Sequence, residues 1–319
     1  MQAAHLQLKE NLERFGVVHG TIESLFIGGG TPSTIAPQLY EPLFETLKPY
    51  MSATAECTAE ANPNSATPSW LAGMKALGIN RVSFGVQSFD NAKLKHLGRA
   101  HNRDDAIRAI TDAAALGIEH ISLDLIYASA MDTPALLQAD LQQSFALPID
   151  HLSAYALTIE EGTLFESRPD VAIERLEQTQ QLFETITANG FTQYEISNFG
   201  TYTSRHNLGY WQYHPYLGIG AGAVGCIDNT RYYPHRDIDA YIQAPLFSTD
   251  ETLHESEVKR ERIFLGLRSI VGVSQHLLSV AELQRAQLLV DEKKLTCKHD
   301  IFYNNDYLLS DEIALFIED

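Results

Sequence analysis

Short apolar runs alternate with amphipathic stretches along the first two hundred residues. Stretches with helical spacing follow Pro37 as far as about Lys48, and an opening helix fits Leu6, Leu8, Leu12 and Phe15. Strands separated by helices predict a parallel sheet. The predicted strands lie at about 22–27, 55–60, 81–86, 120–126, 151–157 and 192–196, and further helices near 67–77, 103–116, 133–146 and 172–189.

Polar residues follow several of these apolar runs, at the carboxyl ends of the predicted strands. They are Gly28 to Thr31, Glu60, Gln87 and Asp124. In (β/α) barrels, ligands bind at this edge of the sheet. The pattern therefore favours a complete or partial barrel over a doubly wound sheet.

The regular alternation ends near residue 200. Residues 201–241 are rich in Tyr, His, Gly and Asn, and charged helical segments follow at about 254–268 and 279–292. Residues 295–310 predict a two-stranded hairpin with Asn304, Asn305 and Asp306 at its turn. We predict a partial barrel over 1–200 and a mostly helical, winged-helix-like domain over 201–319.

Composition limits the function classes. The chain has 319 residues, 45% of them hydrophobic. Its formal net charge of -18 argues against a protein that binds nucleic acid or anionic membranes. Cys57, Cys226 and Cys297 are too far apart for a Cys-x-x-Cys metal site, and their odd number fits no disulfide framework. With no leader-like or membrane-spanning run in the sequence, we expect a cytoplasmic protein.

The most informative stretch is residues 25–34, Leu-Phe-Ile-Gly-Gly-Gly-Thr-Pro-Ser-Thr. Consecutive glycines after a strand let bare backbone approach a ligand, because no Cβ blocks it. An ordinary strand-to-helix turn is the alternative interpretation. Neither Gly-x-Gly-x-x-Gly nor a following Lys-Ser/Thr is present, so the stretch is not typical of the common nucleotide loops.

A series of strand-end segments carries a family resemblance. With the glycine turn, residues 59–63 (Ala-Glu-Ala-Asn-Pro), 83–89 (Ser-Phe-Gly-Val-Gln-Ser-Phe), 97–101 (Leu-Gly-Arg-Ala-His) and 123–127 (Leu-Asp-Leu-Ile-Tyr) resemble the radical S-adenosylmethionine superfamily. Within it the chain is similar to the HemW haem chaperones, relatives of oxygen-independent coproporphyrinogen III oxidase. The resemblance runs from about Ile22 to at least Gly225. It implies an α/β fold, a partial (β/α)6 barrel that lacks its first strand in this chain, with a carboxy-terminal domain.

The strand-end residues also make chemical sense on their own. The Glu60 carboxylate can accept hydrogen bonds from two ribose hydroxyls. Gln87, Arg99 and Asp124 complement a zwitterionic amino acid, although an Arg99–Asp124 ion pair that only fixes loops is the alternative. The resemblance implies that the methionine amino group of S-adenosylmethionine is contacted by Gly29, Gly30 and Thr31, and its ribose by Glu60. It implies that the remaining contacts with S-adenosylmethionine are made by Gln87, Arg99 and Asp124.

A second segment, residues 205–211, reads Arg-His-Asn-Leu-Gly-Tyr-Trp and resembles the His-Asn-x-x-Tyr element linked with haem binding. The His206 imidazole is a good haem-iron ligand, and Tyr210 can serve as a second ligand or a hydrogen-bond donor. A packed loop whose histidine bonds to backbone is the alternative. The resemblance implies a haem site at His206, Asn207 and Tyr210, with Trp211, Tyr213 and Tyr216 as flat walls. It also implies haem-acceptor proteins as partners, some of them membrane-bound and contacted transiently, and no nucleic acid.

The chain departs from the family in two places. The family carries Cys-x-x-x-Cys-x-x-Cys upstream of the glycine turn for a [4Fe-4S] cluster, and the three cysteines here lack that spacing. After Tyr127, residues Ala128–Thr133 replace the usual Gly-Leu-Pro.

Three functional hypotheses remain open. The first is a haem chaperone that binds haem and S-adenosylmethionine, is not catalytic as this chain stands, and has its cluster segment upstream of this sequence. The alternative, given an upstream cysteine segment, is a radical oxidoreductase acting on coproporphyrinogen III. A barrel lyase or hydrolase ranks third, because no catalytic lysine, zinc-ligand set or catalytic triad is visible in the sequence.

Overall fold

The computed structural model describes residues 1–159, 162 and 165–318. Its internal contacts divide the chain into two units. One consists of Ser24–Leu39 and Thr54–Ser204, and the other of Met1–Glu23, Tyr40–Ala53 and Arg205–Asp319. The division into functional domains at residues 200 and 201 stays a prediction.

The strands of the described residues form three sheets. A seven-stranded sheet has the order β1-β2-β3-β4-β5-β7-β6, and two three-stranded sheets have the orders β10-β9-β8 and β11-β13-β12. The strands are β1 Ile22–Ile27, β2 Met51–Ala61, β3 Arg81–Gln87, β4 His120–Tyr127, β5 His151–Ala156, β6 Thr192–Gln193, β7 Asn198–Gly200, β8 Gly225–Ile227, β9 Thr230–Tyr233, β10 Thr249–Thr252, β11 Val273–Ser274, β12 Leu295–Lys298 and β13 Ile301–Asn304.

Most helices lie between strands, as the sequence pattern predicts. They are α1 Gln2–Arg14, α2 Glu41–Leu47, α3 Pro68–Leu77, α4 Asn91–His96, α5 Arg103–Ala115, α6 Pro134–Phe145, α7 Leu176–Ala188, α8 Arg205–Trp211, α9 Ile238–Gln243, α10 Glu255–Leu267, α11 Val280–Asp291 and α12 Ser310–Glu318. Several begin with the expected caps; the Asn102 side chain, for example, accepts from two backbone N–H groups at the start of α5. Pro37–Leu39 forms a separate 3-10 turn before α2, so the helix predicted from Pro37 to Lys48 begins only at Glu41.

The large sheet is parallel from β2 to β5 and then changes direction. β7 pairs antiparallel with β5, and β6 pairs antiparallel with β7. The strand predicted over 192–196 is shorter, at Thr192–Gln193, and it joins the sheet through β7 and not by parallel pairing. The chain turns back after β6 because the Tyr194 N–H donates to the Asn198 carbonyl at 3.1 Å, which closes a short hairpin.

The two faces of the large sheet differ in polarity. Paired residues of neighbouring strands point to the same face, so Val82 and Phe84 of β3 share one face with Ile121 and Leu123 of β4, all of them buried. Helix α5 packs on these two strands. The opposite face carries polar residues, Thr58, Arg81, Ser83, Ser122, His151 and Ser153, all of them buried.

The carboxy-terminal region has a core of its own. Helices α10, α11 and α12 and the sheet β11-β13-β12 bury, among others, Ile263, Leu267, Phe302 and Ile313. β12 and β13 form the predicted hairpin.

The turn of this hairpin lies at His299 and Asp300, with φ of 51° and 63°, and not at Asn304–Asp306 as predicted. Two residues with positive φ make the type I′ turn that suits the twist of a tight hairpin.

No helix among the described residues is long and apolar enough to cross a membrane.

Candidate ligand sites

The glycine turn after β1 is shaped around Glu60. A Cβ added at Gly28 would lie 2.6 Å from Cε1 of Phe26 and 3.0 Å from the carboxyl carbon of Glu60, so a larger residue here would displace one of these side chains. The Gly29 N–H donates to the Glu60 carboxylate. Gly29 and Gly30 have φ of 78° and 131°, a region that disfavours other residues, and open space lies where their side chains would be. The turn thus presents bare backbone beside a carboxylate.

Glu60, Arg99 and Asp124 form a partly buried charged group. Burial raises the pKa of Glu60 above its ordinary value, and the Asp124 carboxylate raises it further. Burial also raises the pKa of Asp124, against the hydrogen bonds that Ser153 and Ser83 donate and against the charges of Arg81 and Arg99. The structure therefore brings Glu60 and Arg99 together around Asp124.

Arg99 is not fixed by an ion pair with Asp124. No ion pair within 4.0 Å joins these two residues, which both lie in the described part of the chain. The Nε atom of Arg99 is buried and has no hydrogen-bond partner among the described residues. Buried donors in proteins almost always have an acceptor, so we expect a bound ligand to supply one for this Nε atom. The Asp124 charge nevertheless acts on Arg99, so both interpretations of this pair stay predictions.

Gln87 and Thr31 complete the predicted set. Gln87 ends β3 with φ of 69°, a left-handed conformation that is rare outside glycine. The register with β4 shifts at this point, and the Gln87 side chain is buried. Backbone outliers of this kind concentrate at functional sites. The Thr31 carbonyl accepts from the backbone N–H and hydroxyl of Thr34.

The predicted haem-binding residues lie on the short helix α8. The His206 and Tyr210 rings meet edge to face with centroids 5.0 Å apart, and Tyr210 meets Tyr216 in the same way at 4.7 Å. Burial raises the pKa of both tyrosines, so their phenols are neutral near pH 7. The structure thus gathers His206, Tyr210 and Tyr216 into one aromatic cluster. Asn207 and Trp211 lie on the same helix.

Tyr213, predicted as a flat wall of the haem site, contacts charged residues; its role at haem stays a prediction. Its hydroxyl donates to Glu261 at 2.9 Å, and the Arg262 guanidinium lies 5.4 Å from its ring centroid. Glu261 also pairs with Arg231. Tyr213 is therefore held by charged neighbours.

Comparison with known proteins places the chain in a family. Residues 4–133 match the Radical SAM superfamily. The heme chaperone HemW of Lactococcus lactis is 32% identical over 79% of this chain and 70% of that protein, and the heme chaperone HemW of Bacillus subtilis is 34% identical over 80% and 72%. The chain belongs to the HemW family. The predicted resemblance is confirmed.

The fold is confirmed by a solved structure. Coproporphyrinogen III oxidase (HemN) from Escherichia coli, described as a radical SAM enzyme, superposes with a TM-score of 0.82 over 99% of this HemW-family chain and 82% of that protein, at 18% sequence identity. The likeness shows the predicted partial barrel with a helical carboxy-terminal region.

The three cysteines of this HemW-family chain lie in separate strands. Cys57 is buried in β2, Cys226 is partly buried in β8 and Cys297 is exposed in β12. Among the residues that the structure describes, no group of three or more His, Cys, Asp or Glu side chains can hold a metal ion. These residues do not fit a [4Fe-4S] cluster.

Sequence reasoning missed Glu195, which lies between β6 and β7. Its side chain is 1% exposed, and burial raises its pKa to about 7. The Ser197 N–H donates to Oε2 at 3.2 Å, whereas Oε1 has no partner in the described part of the chain. A glutamate between Tyr194 and Ile196, inside a predicted strand, was the signal that could have found it.

A chain of buried hydrogen bonds on the polar face was also missed. Nδ1 of His151 lies 2.7 Å from the Ser122 hydroxyl, and Nε2 lies 2.7 Å from the Tyr194 hydroxyl. Burial, together with the charge of Arg81, lowers the pKa of His151 well below its usual value. Polar residues at alternate positions of β4 and β5 gave this signal in the sequence.

Residues 128–133, the segment that differs from the family pattern, include Asp132, which contacts a buried lysine. The Lys93 ammonium lies 2.6 Å from an Asp132 carboxylate oxygen and 3.8 Å from one of Asp140, and all three side chains are almost fully buried. Lys93 also donates to the Ile126 carbonyl at 2.6 Å. Ala128 has φ of 61°, a left-handed conformation that glycine adopts more readily than alanine.

Proposed function

We propose that this chain binds haem and delivers it to an acceptor protein, and that its partial barrel binds S-adenosylmethionine. Membership of the HemW family carries the proposal, because the relatives in Lactococcus lactis and Bacillus subtilis are heme chaperones by name. Haem is cargo in this proposal. Its acceptors are other proteins, including membrane-bound ones that the chain contacts transiently.

The aromatic cluster supports the haem part of the proposal. A neutral imidazole is a good axial ligand for iron, and His206 lies beside the half-exposed ring of Tyr210. Tyr210 and Tyr216 offer ring surface to a porphyrin. His206 is the proposed iron ligand, Tyr210 and Tyr216 supply packing, and Asn207 is proposed to orient the segment.

A haem titration followed by the Soret band tests this assignment. His206→Ala should weaken binding by at least about tenfold, roughly 1.4 kcal/mol, because the iron loses its proposed protein ligand. His214→Ala is the matched control, since His214 is an exposed histidine shortly after α8. Circular dichroism checks that both variants fold. Equal haem affinity in wild type and His206→Ala would overturn the assignment.

The glycine-turn site supports the S-adenosylmethionine part. The residues present fit this group: Glu60 offers a carboxylate to hydroxyls, Arg99 has a buried donor without a partner among the described residues, and the glycine turn leaves space. Gly29, Gly30 and Thr31 are proposed to bind its amino group. Gln87, Arg99 and Asp124 are proposed to bind the remaining polar groups. When bound, S-adenosylmethionine supplies a sulfonium-activated carbon.

Isothermal titration calorimetry with S-adenosylmethionine tests this site. Arg99→Leu should weaken binding about tenfold or more, because a charged hydrogen bond contributes roughly 1.5–3 kcal/mol. Arg108→Leu removes the same charge from an exposed position on α5 and should leave binding unchanged. An Arg99→Leu protein that binds as tightly as wild type would refute the role of Arg99.

A radical oxidoreductase acting on coproporphyrinogen III remains the alternative for a polypeptide that carries the cluster ligands. Cys57, Cys226 and Cys297 do not supply those ligands, because they lie in three separate strands. We assign no step of that chemistry to the described residues.

A further inference from the structure

The buried imidazole of His101 contacts two of the strand ends that form the glycine-turn site. Its Nε2 donates to the Val86 carbonyl at 2.9 Å, and its Nδ1 lies 3.1 Å from the side-chain amide of Asn62. Burial lowers the pKa of His101, and the nearby charge of Arg99 lowers it further, so the ring is neutral near pH 7. A neutral ring that donates from Nε2 accepts at Nδ1, where the Asn62 amide can present an N–H group. Both ring nitrogens are therefore bound within the protein.

The Val86 carbonyl lies at a strained turn. It also accepts from the Ser88 N–H at 2.9 Å, which closes a three-residue turn around Gln87. Gln87 has φ of 69°, the rare and strained form of such a turn. Strained backbone of this kind persists only where its surroundings hold it in place. The Nε2–H group of His101 is a second donor to the same carbonyl, so it helps to hold the conformation that presents the Gln87 side chain.

Asn62 connects His101 to the glycine turn. Its backbone N–H donates to the hydroxyl of Ser33 at 2.9 Å, and Ser33 is buried just after the glycine turn. Asn62 itself lies two residues after Glu60, whose carboxylate accepts from the Gly29 N–H. The contacts from His101 through Asn62 to Ser33 therefore join the glycine turn to the end of β2.

The contacts of His101 adjoin the residues that are proposed to bind S-adenosylmethionine. His101 lies two residues after Arg99, and its two partners lie within two residues of Gln87 and Glu60. All of these residues belong to the same unit of the molecule. We propose that His101 is a positioning residue of the S-adenosylmethionine site, which holds the glycine turn, Glu60 and Gln87 at the spacing that the ligand needs. The inference rests on the proposed S-adenosylmethionine binding. His101 acts through these residues and not on the ligand, because it is 3% exposed and both its nitrogens are bound.

Calorimetric titration of S-adenosylmethionine into the full chain tests this role. His101→Leu should weaken binding by at least about tenfold, because side chains that are no longer preorganised must be ordered on binding. His151→Leu is the matched control, since His151 is another buried histidine of the same sheet. Its ring nitrogens contact Ser122 and Tyr194 at the amino end of β5, so the change should lower stability and leave the affinity unchanged.

His101→Gln keeps part of the arrangement and serves if His101→Leu fails to fold. The amide nitrogen of glutamine reaches the place of Nε2 and can donate to the Val86 carbonyl, whereas the contact with Asn62 is lost. We expect an affinity about threefold below that of wild type, between wild type and His101→Leu. A purely structural role of His101 would lower the free energy of unfolding, measured in urea, without this order of affinities.

Hydrogen exchange of the free protein, followed by mass spectrometry, probes the same positions without a ligand. The Gly29 N–H is protected by its bond to Glu60. Peptides that cover residues 28–34 should therefore exchange about tenfold faster in His101→Leu than in His151→Leu, because only the first variant releases the glycine turn.

The outcomes distinguish this inference from the proposed function. Equal S-adenosylmethionine affinity in wild type and His101→Leu would overturn the inference, and so would an equal loss in His101→Leu and His151→Leu. Absence of binding in wild type would overturn the proposed S-adenosylmethionine function, and hydrogen exchange then decides on His101. Faster exchange at residues 28–34 in His101→Leu would support its positioning role, whereas equal exchange in both variants would overturn it.

Discussion

The two candidate sites differ in the type of residue they contain and in how deeply these residues are buried. The glycine-turn site lies at the ends of sheet strands, and its charged residues Glu60, Arg99 and Asp124 are partly buried with shifted pKa values. The His206 segment is a seven-residue helix with no buried residue, and the Tyr210 side chain is 42% exposed. The first site is held by buried polar groups, and the second presents aromatic surface.

This difference predicts where mutations show their effect. Buried charges cost desolvation energy that the fold must offset, so changes beneath the strand ends should alter the free energy of unfolding. Half-exposed aromatic residues contribute less to folding and more to binding. Measurements of the free energy of unfolding of variants therefore test this difference between buried and half-exposed residues.

The largest effect is expected from Lys93→Met. Removing the ammonium leaves Asp132 and Asp140 buried without their cation, which should cost about 3–5 kcal/mol in the free energy of unfolding. Urea denaturation measures it. Lys95→Met on the same helix is the control, because Lys95 is exposed and should change stability by less than about 0.5 kcal/mol. Similar changes in the free energy of unfolding for both variants would contradict this prediction.

Glu195→Gln should change how stability depends on pH. The folded-state pKa is raised from 4.5 to about 7, so the fold favours the protonated carboxyl and wild type loses stability as pH rises from about 4.5 to about 7. The loss should be about 3 kcal/mol, and Gln should not show it.

The measurement is urea denaturation of both proteins between about pH 4 and pH 8. Tyr155, Asn198 and the Ser197 N–H face the carboxyl and are unchanged in the variant. Glu184→Gln on α7 measures the effect of removing one exposed charge. A difference between wild type and Glu195→Gln that stays constant with pH would contradict the prediction.

Tyr210→Ala should have a smaller effect on folding. It removes the edge-to-face contacts with His206 and Tyr216 from a half-exposed position, which should cost about 1 kcal/mol. Tyr210→Phe keeps both ring contacts and serves as the control. A loss as large as that of Lys93→Met would show that the aromatic cluster is a structural core.

The smallest effect is a gain, expected for Ala128→Gly. Relief of the left-handed backbone should contribute about 1 kcal/mol, and the extra freedom of the unfolded chain should cost about half of it, leaving about 0.5 kcal/mol. Ala130→Gly, in the same segment, is the control and should lower the melting temperature. A lower melting temperature for Ala128→Gly as well would contradict the prediction.

The alternation of apolar runs was enough to predict most of the sheet, because long regular segments carry strong periodicity. Shorter features escaped it. α4 spans Asn91–His96, too short for a helical period to show, and the hairpin turn depends on positive φ at His299 and Asp300, neither of which is a glycine.

The site was predictable in part. Strand ends marked Glu60, Gln87 and Asp124, since parallel strands end at one edge of a sheet. The family resemblance was needed for Arg99 and His206, which lie outside the strands. His151 was missed because only the pairing of β5 with β4 places it opposite Ser122 on the polar face. Glu195 was missed because its burial depends on the turn between β6 and β7, which the sequence pattern does not show.

The two-residue strand β6 has a consequence for the behaviour of the protein in concentrated solution. It ends the large sheet on one side, next to the antiparallel strand β7. A long, flat edge would offer unpaired backbone groups to another molecule, whereas so short an edge offers almost no template for pairing. This side of the sheet is thereby protected against growth by addition of strands from neighbouring chains.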